Sequence, residues 1–329
     1  MRAIIFLLIS SILFFSCVRE ESPIERKLRE GQIASVTMGV NYTNHAFFNL
    51  EENKVVKSIN KDVWDIAFQT GDDGNKVITN TSKYMFVYPT DKENFSEVSS
   101  VNSYLNNKTY DHPSGDLNQT GIGEWEDGLI RILDLGTDAN GDKHGWYKLK
   151  VIDVTPTEYT IEFAELESSE TTIATISKQN DYTFTYFSLR TNEVIDFAPP
   201  KDEWDLEFTR YIVHLTSPLV MDYLVTGCLT NRFGTSSALI TEVEYEDIDL
   251  DYVNSLVSMS TDINTIGYDW KDVGLENVMG GGSANYVVYP EKSYVVKDQQ
   301  GIYYKLKFLS FFSENGEKGT PTFKYEILM

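Results

Sequence analysis

The chain is poor in cysteine, histidine, basic residues and long apolar runs, and each shortage removes a class of protein. Of its 329 residues only Cys17 and Cys228 are cysteines. Cys17 is assigned below to a lipid, and a single leftover thiol closes no internal disulfide, so the fold must hold by its core. Cys228 lies in the apolar stretch LVTGCLTNRF and reads as a buried structural thiol. Lysines and arginines number 28 against 50 aspartates and glutamates, a formal net charge of −22. A surface this acidic repels phosphate backbones, which speaks against nucleic acid as a partner and against polybasic docking on anionic lipid. Helical periodicity is scarce. No GxSxG, HExxH, CxxC or GxxxxGK[ST] motif occurs, and no carboxylate pair stands out, so the chain is not read as an enzyme. Asp138 to Asp142 has the alternating oxygens of a calcium loop, but Lys143 stands where that loop needs glycine, and a hairpin turn explains it.

The one apolar run is AIIFLLISSILFFS, Ala3 to Ser16, directly after Met1 and Arg2. It is too short for a bilayer span, which takes about 20 residues. A basic start, a short apolar stretch and a small residue before Cys17 give the pattern of a secretory signal peptide over 1–16 with lipid attachment at Cys17. Phe14 and Phe15 depart from the usual residues before such a cysteine. Residues 17–32 then form the lipidated cysteine and a charged tether. Arg19-Glu20-Glu21 resembles an acidic surface-export signal of Bacteroidetes lipoproteins. The expected address is the outer membrane, held by the lipid alone, on the cell surface or facing the periplasm.

What is present is a β-rich palette, with 20 Tyr and 18 Phe, and a repeat. KDVWDIAF at 61–68 returns as KDEWDLEF at 201–208. Upstream, HAFFNLEENKVVKSIN (45–60) matches FTYFSLRTNEVIDFAPP (184–200). Downstream, KHGWYKLKVIDV (143–154) matches GIYYKLKFLSFF (301–312), and both copies close on a strand, YTIEF at 159–163 and PTFKYEIL at 321–328. Two homologous domains follow, 33–168 and 169–329. Alternation predicts that Trp64, Ile66 and Phe68 share one strand face, as do Trp204, Leu206 and Phe208. Residues 136–145 and 297–301 are hairpin turns by composition, and 96–123 is a polar loop. The fold class is all-β, with one or two short helices.

The second half resembles the HmuY-like haem-binding lipoproteins of Bacteroidetes. TYFSLRTNEVI (185–195), EWDLEFTRY (203–211) and the run from Tyr294 to Leu328 carry the likeness. The first half is similar more loosely, through HAFFNLEENKVV and VWDIAF, and has Gln69-Thr70 where the second has Arg210-Tyr211. The first domain is therefore a degenerate copy. The resemblance implies an all-β outer-membrane lipoprotein that binds haem b and hands it to a TonB-dependent receptor. It also implies two axial ligands, His or Met, from loops between the WDxxF strand and the closing hairpins. That region of the second copy holds no histidine but holds Met259 and Met279, which become the axial candidates. Gly280 to Gly282 would let a loop approach a flat ligand. Tyr268 and Tyr286 are secondary candidates, as is His214, which strict alternation puts on the face of Trp204 and Phe208. His45, His112 and His144 read as ordinary surface histidines. The rival reading is a β-domain interaction module of an outer-membrane assembly that has lost haem.

Overall fold

The computed structural model describes residues 31–39, 41–217, 219–274, 281–282, 284 and 286–329. Cys17 and Met279 lie outside the described residues. The chain is all-β, with one seven-residue α-helix, α1 (Leu250–Leu256), among the described residues. Asp249 caps it, its carboxylate accepting the amide of Tyr252 at 2.7 Å.

The strands are β1 (Gln32–Ser35), β2 (Asn44–Asn49), β3 (Lys54–Asn60), β4 (Ile66–Gln69), β5 (Val77–Thr79), β6 (Phe86–Pro89), β7 (Arg131–Asp134), β8 (Trp146–Val154), β9 (Glu158–Glu165) and β10 (Thr172–Ser177). They continue as β11 (Phe184–Ser188), β12 (Glu193–Ile195), β13 (Leu206–Leu215), β14 (Met221–Thr230), β15 (Ser236–Ile240), β16 (Lys271–Asp272), β17 (Val287–Val288), β18 (Ser293–Lys297), β19 (Tyr303–Phe312) and β20 (Lys318–Ile327). All pairings are antiparallel. Two five-stranded sheets run β10-β9-β8-β7-β6 and β1-β20-β19-β18-β15. Two four-stranded sheets run β12-β11-β4-β5 and β14-β13-β2-β3, and β16 and β17 form a small ribbon.

The pairing crosses the sequence repeat. The opening strands of each copy complete the sheets of the other. β1 pairs with β20 and β2 with β13, while β10 pairs with β9 and β11 with β4. One core therefore joins Ile66, Phe68, Leu149 and Tyr159 of the first copy to Phe187 and Leu189 of the second. The other joins Phe48 and Leu50 to Leu206, Phe208, Tyr294 and Phe323. A third cluster seals the two four-stranded sheets together around Phe47, Trp64, Phe184, Phe197 and Trp204. The ring of Phe47 lies 4.9 Å from Trp204 and 5.7 Å from Phe197, and Phe197 lies 5.3 Å from Trp64.

Both tryptophans therefore sit apart from the residues alternation grouped them with. Ile66 and Phe68 enter one core and Leu206 and Phe208 the other, whereas Trp64 and Trp204 turn into the seal between them. The cause is a bend at Asp65 and at Asp205, just before each strand begins. The Asp65 amide is drawn to Phe187 O and the Asp205 amide to Phe48 O, each at 2.9 Å. Period-two counting fails across a bend. His45, expected at the surface, is buried because β2 lies against β13. The turns at 136–145 and 297–301 fall where expected, joining β7 to β8 and β18 to β19. Cys228 is fully buried, and burial pushes its thiol well above the usual range.

Candidate ligand-binding cleft

Beyond Phe208, β13 carries its pairing with β14 through seven more residue pairs out to Leu215 and Met221. Together with residues 268–274 and 286–292, this long hairpin walls a cleft of about 930 Å³, within the range of small-molecule sites. Leu215, Val225 and Val273 give it apolar surface; Tyr42, Tyr223, Tyr268 and Tyr286 give it rings.

Its floor is aromatic. Tyr42 stacks on Phe311 with ring centroids 6.0 Å apart, and Tyr286 lies 4.6 Å from Phe311. The Tyr42 and Tyr286 hydroxyls meet at 2.9 Å. Burial first, then that hydrogen bond, drives the Tyr42 phenol far above its ordinary value, so it stays protonated. Tyr42 comes from the first copy and holds φ +53°, a left-handed conformation that strains a bulky side chain and is found at sites where the surroundings enforce it. Gly319 makes room for it: a Cβ there would meet Gly39 O at 2.6 Å and the Tyr42 ring at 3.2 Å.

Two cations border this floor. The Arg210 guanidinium lies 5.6 Å from the Tyr42 ring centroid. The Lys271 ammonium lies 4.3 Å from the Trp270 ring and 4.7 Å from Phe311, and donates to Thr226 O at 2.6 Å. Thr226 is the residue paired directly opposite Arg210. Burial, partly offset by Asp269 and Cys228, brings the Lys271 pKa down to about 7. Lys292, at the cleft edge, is paired with Asp269 at 3.1 Å.

The structure brings Tyr268 and Tyr286 into this cleft and leaves the other described candidates elsewhere. Met259 packs beside α1 against the cluster of Ile240, Ile248 and Val253. His214 is exposed and bonded to Asp222 at 2.9 Å. His45 is buried between Glu207 and Ser82, beside a smaller cavity of about 110 Å³ at the seal of the two sheets. His112 bonds Ser114, and His144 faces Asp62. Sequence reasoning passed over Tyr42, Tyr223 and Lys271. For Arg210 the signal was present, a cation interrupting an apolar strand face. For Tyr42, nothing local links it to residues more than 160 positions away.

Comparison with known families matches the HmuY protein family twice, over residues 41–181 and 180–325. The chain belongs to the HmuY family. Its two tandem HmuY regions abut near residue 180, between β10 and β11. Among solved structures, it is similar to apo PinO from Porphyromonas gingivitis, at 10% identity and a TM-score of 0.29, over 92% of this chain and 98% of that one. It is also similar to the Tannerella forsythia apo HmuY analog TFO, at 13% identity and a TM-score of 0.24, over 92% of this chain and 99% of that one. Likeness at that level carries no functional argument. Comparison with the curated proteins yields no match.

Proposed function

We propose that this HmuY-family chain binds haem b in the cleft beside β13 and β14, as a lipid-anchored protein of the outer membrane that passes haem to a TonB-dependent receptor. The observation that carries the reading is the cleft itself: about 930 Å³, with Tyr42 and Tyr286 in its lining, both resting on the buried Phe311, and Arg210 and Lys271 at its wall. A porphyrin needs a flat apolar slot and cationic neighbours for its propionates, and these residues fit both needs. Bound haem would supply an iron able to accept donor atoms from the protein. The phenols of Tyr268 and Tyr286 are the described candidate donors at the cleft. Met279, outside the described residues, is the proposed thioether ligand. Met259 sits with α1, apart from the cleft lining. The anchor at Cys17 and the tether to residue 32 belong to the same proposal, and the first copy serves structure and receptor docking.

The test is a hemin titration of residues 18–329, read by Soret absorbance in oxidised and reduced states. The expected result is a sharp, saturable band that shifts in Met279→Ala and not in Met259→Ala. A broad response that never saturates would sink the haem reading. One observation favours the rival, an interaction module without haem: all four histidines bond protein partners away from the cleft.

A further inference from the structure

The edge of a sheet presents unpaired backbone groups, and native proteins cover such edges or guard them with charge, proline or bulges. Each five-stranded sheet closes one of its edges. Val87 of β6 exchanges both backbone bonds with Thr109, at 2.9 and 2.8 Å, and Ser237 of β15 does so with Ser260 at the same distances. β10, at the other end of the first sheet, is left open. Among the described residues it pairs with β9 alone, in unbroken register from Thr172 opposite Phe163 to Ser177 opposite Glu158. The ladder runs on into the bond from the Lys178 amide to Thr157 O at 2.8 Å. Antiparallel strands turn alternate residues to opposite sides. Thr172, Ala174 and Ile176 therefore face β9 along with Lys178, and Ile173, Thr175 and Ser177 point their backbone groups outward. Among the described residues, nothing meets the outward groups of Ile173 or Thr175, and Ser177 O takes the Thr185 hydroxyl at 3.2 Å.

None of the usual guards is present. The strand reads TIATIS, without charge, proline or bulge, and Ile173 is 64% exposed. A β-prone strand of this kind is a template for another strand. The exposed isoleucine occurs in both copies. Ile33 stands 140 positions earlier, the offset of the two tryptophans, on the edge strand β1 of the other five-stranded sheet, and is 65% exposed. The two edges differ in charge. The residue opposite Ile173 is Glu162, whereas the residue opposite Ile33 is Lys324. The β9–β10 hairpin, residues 158–177, carries Glu158, Glu162, Glu165, Glu167 and Glu170 and no lysine or arginine.

We propose that the β10 edge is a docking site for an extended, basic strand of a partner protein, which adds to the sheet beside β10. Backbone bonds to Ile173 and Thr175 supply affinity, and an apolar side chain against Ile173 fixes the register. Lysines or arginines beside the glutamates of the hairpin select the partner. A second copy of this chain brings the same five glutamates to the edge, so charge disfavours it as the occupant. No residue of β10 lines the cleft, and the docking site needs no ligand there.

Peptides titrated with residues 18–329 test this. The probe is a fluorescein-labelled peptide of alternating lysine and valine, about ten residues long to match a strand, and binding is read by anisotropy. One control is the same peptide N-methylated at every residue, which keeps the charge and removes strand pairing. The other alternates glutamate and valine. The lysine peptide is expected to bind saturably and at least about tenfold more tightly than either control. Ile173→Lys places a guarding charge on the edge, and Thr175→Pro removes one outward amide. Each should weaken the lysine peptide by about tenfold or more. Ile33→Lys, on β1, should leave it unchanged. Thermal melts check that each variant folds, and Ile173→Lys carries the test if Thr175→Pro does not. A hemin titration of Ile173→Lys should match that of the wild type, which separates the edge from the cleft.

Equal binding of the methylated peptide would overturn the proposal, because charge alone would then account for the affinity. Unchanged binding in Ile173→Lys would do the same, as would an equal loss in Ile33→Lys or no saturable binding at all. Sedimentation velocity of the free chain covers the remaining occupant. A dimer at micromolar concentration that Ile173→Lys returns to monomer would give the edge to a second copy and remove the partner strand.

Discussion

The carboxylate of Asp205 accepts the backbone amide of Leu50 at 2.8 Å, across 155 positions of chain. Its counterpart Asp65 accepts the amide of Leu189 at the same distance. In each case the acid of a WD motif pins the hairpin that the other copy contributes, and the bond holds the exchange together from both sides. Asn80 and Asn231 repeat the symmetry, each donating to the carbonyl of its tryptophan, Trp64 or Trp204. The charges do not repeat. Lys83 and Arg190 face Asp65. Counting from Asn80 and Asn231, the place of Lys83 is taken by Gly234, and the residue after Leu50 is Glu51.

The two acids should therefore respond to pH in opposite directions. Burial raises the Asp205 pKa to about 7, with the Leu50 amide opposing and Asp298 and Glu51 adding to it. Its folded-state value is above its unfolded one, so its contribution is full below about pH 4 and is lost as pH rises through 7. Asp65 is held below the usual range: burial acts upward, but Lys83, Arg190 and the Leu189 amide outweigh it. Its contribution is present above about pH 4 and lost in acid. Urea unfolding at pH 5 and pH 8 should show wild type losing more stability than Asp205→Asn over that rise, by about 2–3 kcal/mol. A parallel pair of profiles would contradict this.

Lys83 and Asp65 are both fully buried. Lys83→Met removes one of the two cations that hold a buried carboxylate, leaving Arg190, and should cost about 2–4 kcal/mol. Adding Asp65→Asn should recover part of that loss, because the under-compensated charge goes with it. A double-mutant cycle by thermal or urea unfolding measures the coupling. Strictly additive losses would mean the pair contributes nothing as a pair.

Cutting the chain at the sequence repeat should fail where cutting along the sheets succeeds. Residues 61–199 carry β4 to β12 and thus both sheets around Ile66, Phe68 and Phe187. Residues 33–168 lack β10 to β12 and keep β2 and β3, whose partner β13 is gone. The first fragment is expected to unfold cooperatively as a monomer and the second to remain without fixed packing. Amide dispersion in NMR spectra and urea melts would tell them apart, and a stable monomer of 33–168 would contradict the exchange.

Gly319→Ala should disturb the cleft from outside it. The added methyl meets Gly39 O and the Tyr42 ring, and the residue sits at φ +93°. A loss of about 1–3 kcal/mol is expected, together with weaker porphyrin binding as Tyr42 shifts off Arg210. Unchanged binding with lower stability would detach Tyr42 from ligand recognition.

Fold class, the repeat and several turns were readable from residues in order, because alternation and turn chemistry are local. The family followed from short motifs such as EWDLEF and TYFSLRTNEVI. Tyr268 and Tyr286 were legible as cleft residues only through that family likeness. The two tryptophans were misplaced by strand counting, which the bends at Asp65 and Asp205 undid, and His45 was misplaced because the strand that covers it, β13, is remote in sequence.

By itself the sequence determined that this is a β-rich, acidic chain built from two like copies, since composition and repetition are written in the residues. Only the tertiary structure decided which copy completes which sheet, and that Tyr42 of one meets Arg210 of the other. Like strands compete for like partners, and the two copies offer nearly the same edges. The choice between them rests on long-range packing and on the amides that Asp65 and Asp205 hold, and no local pattern encodes those.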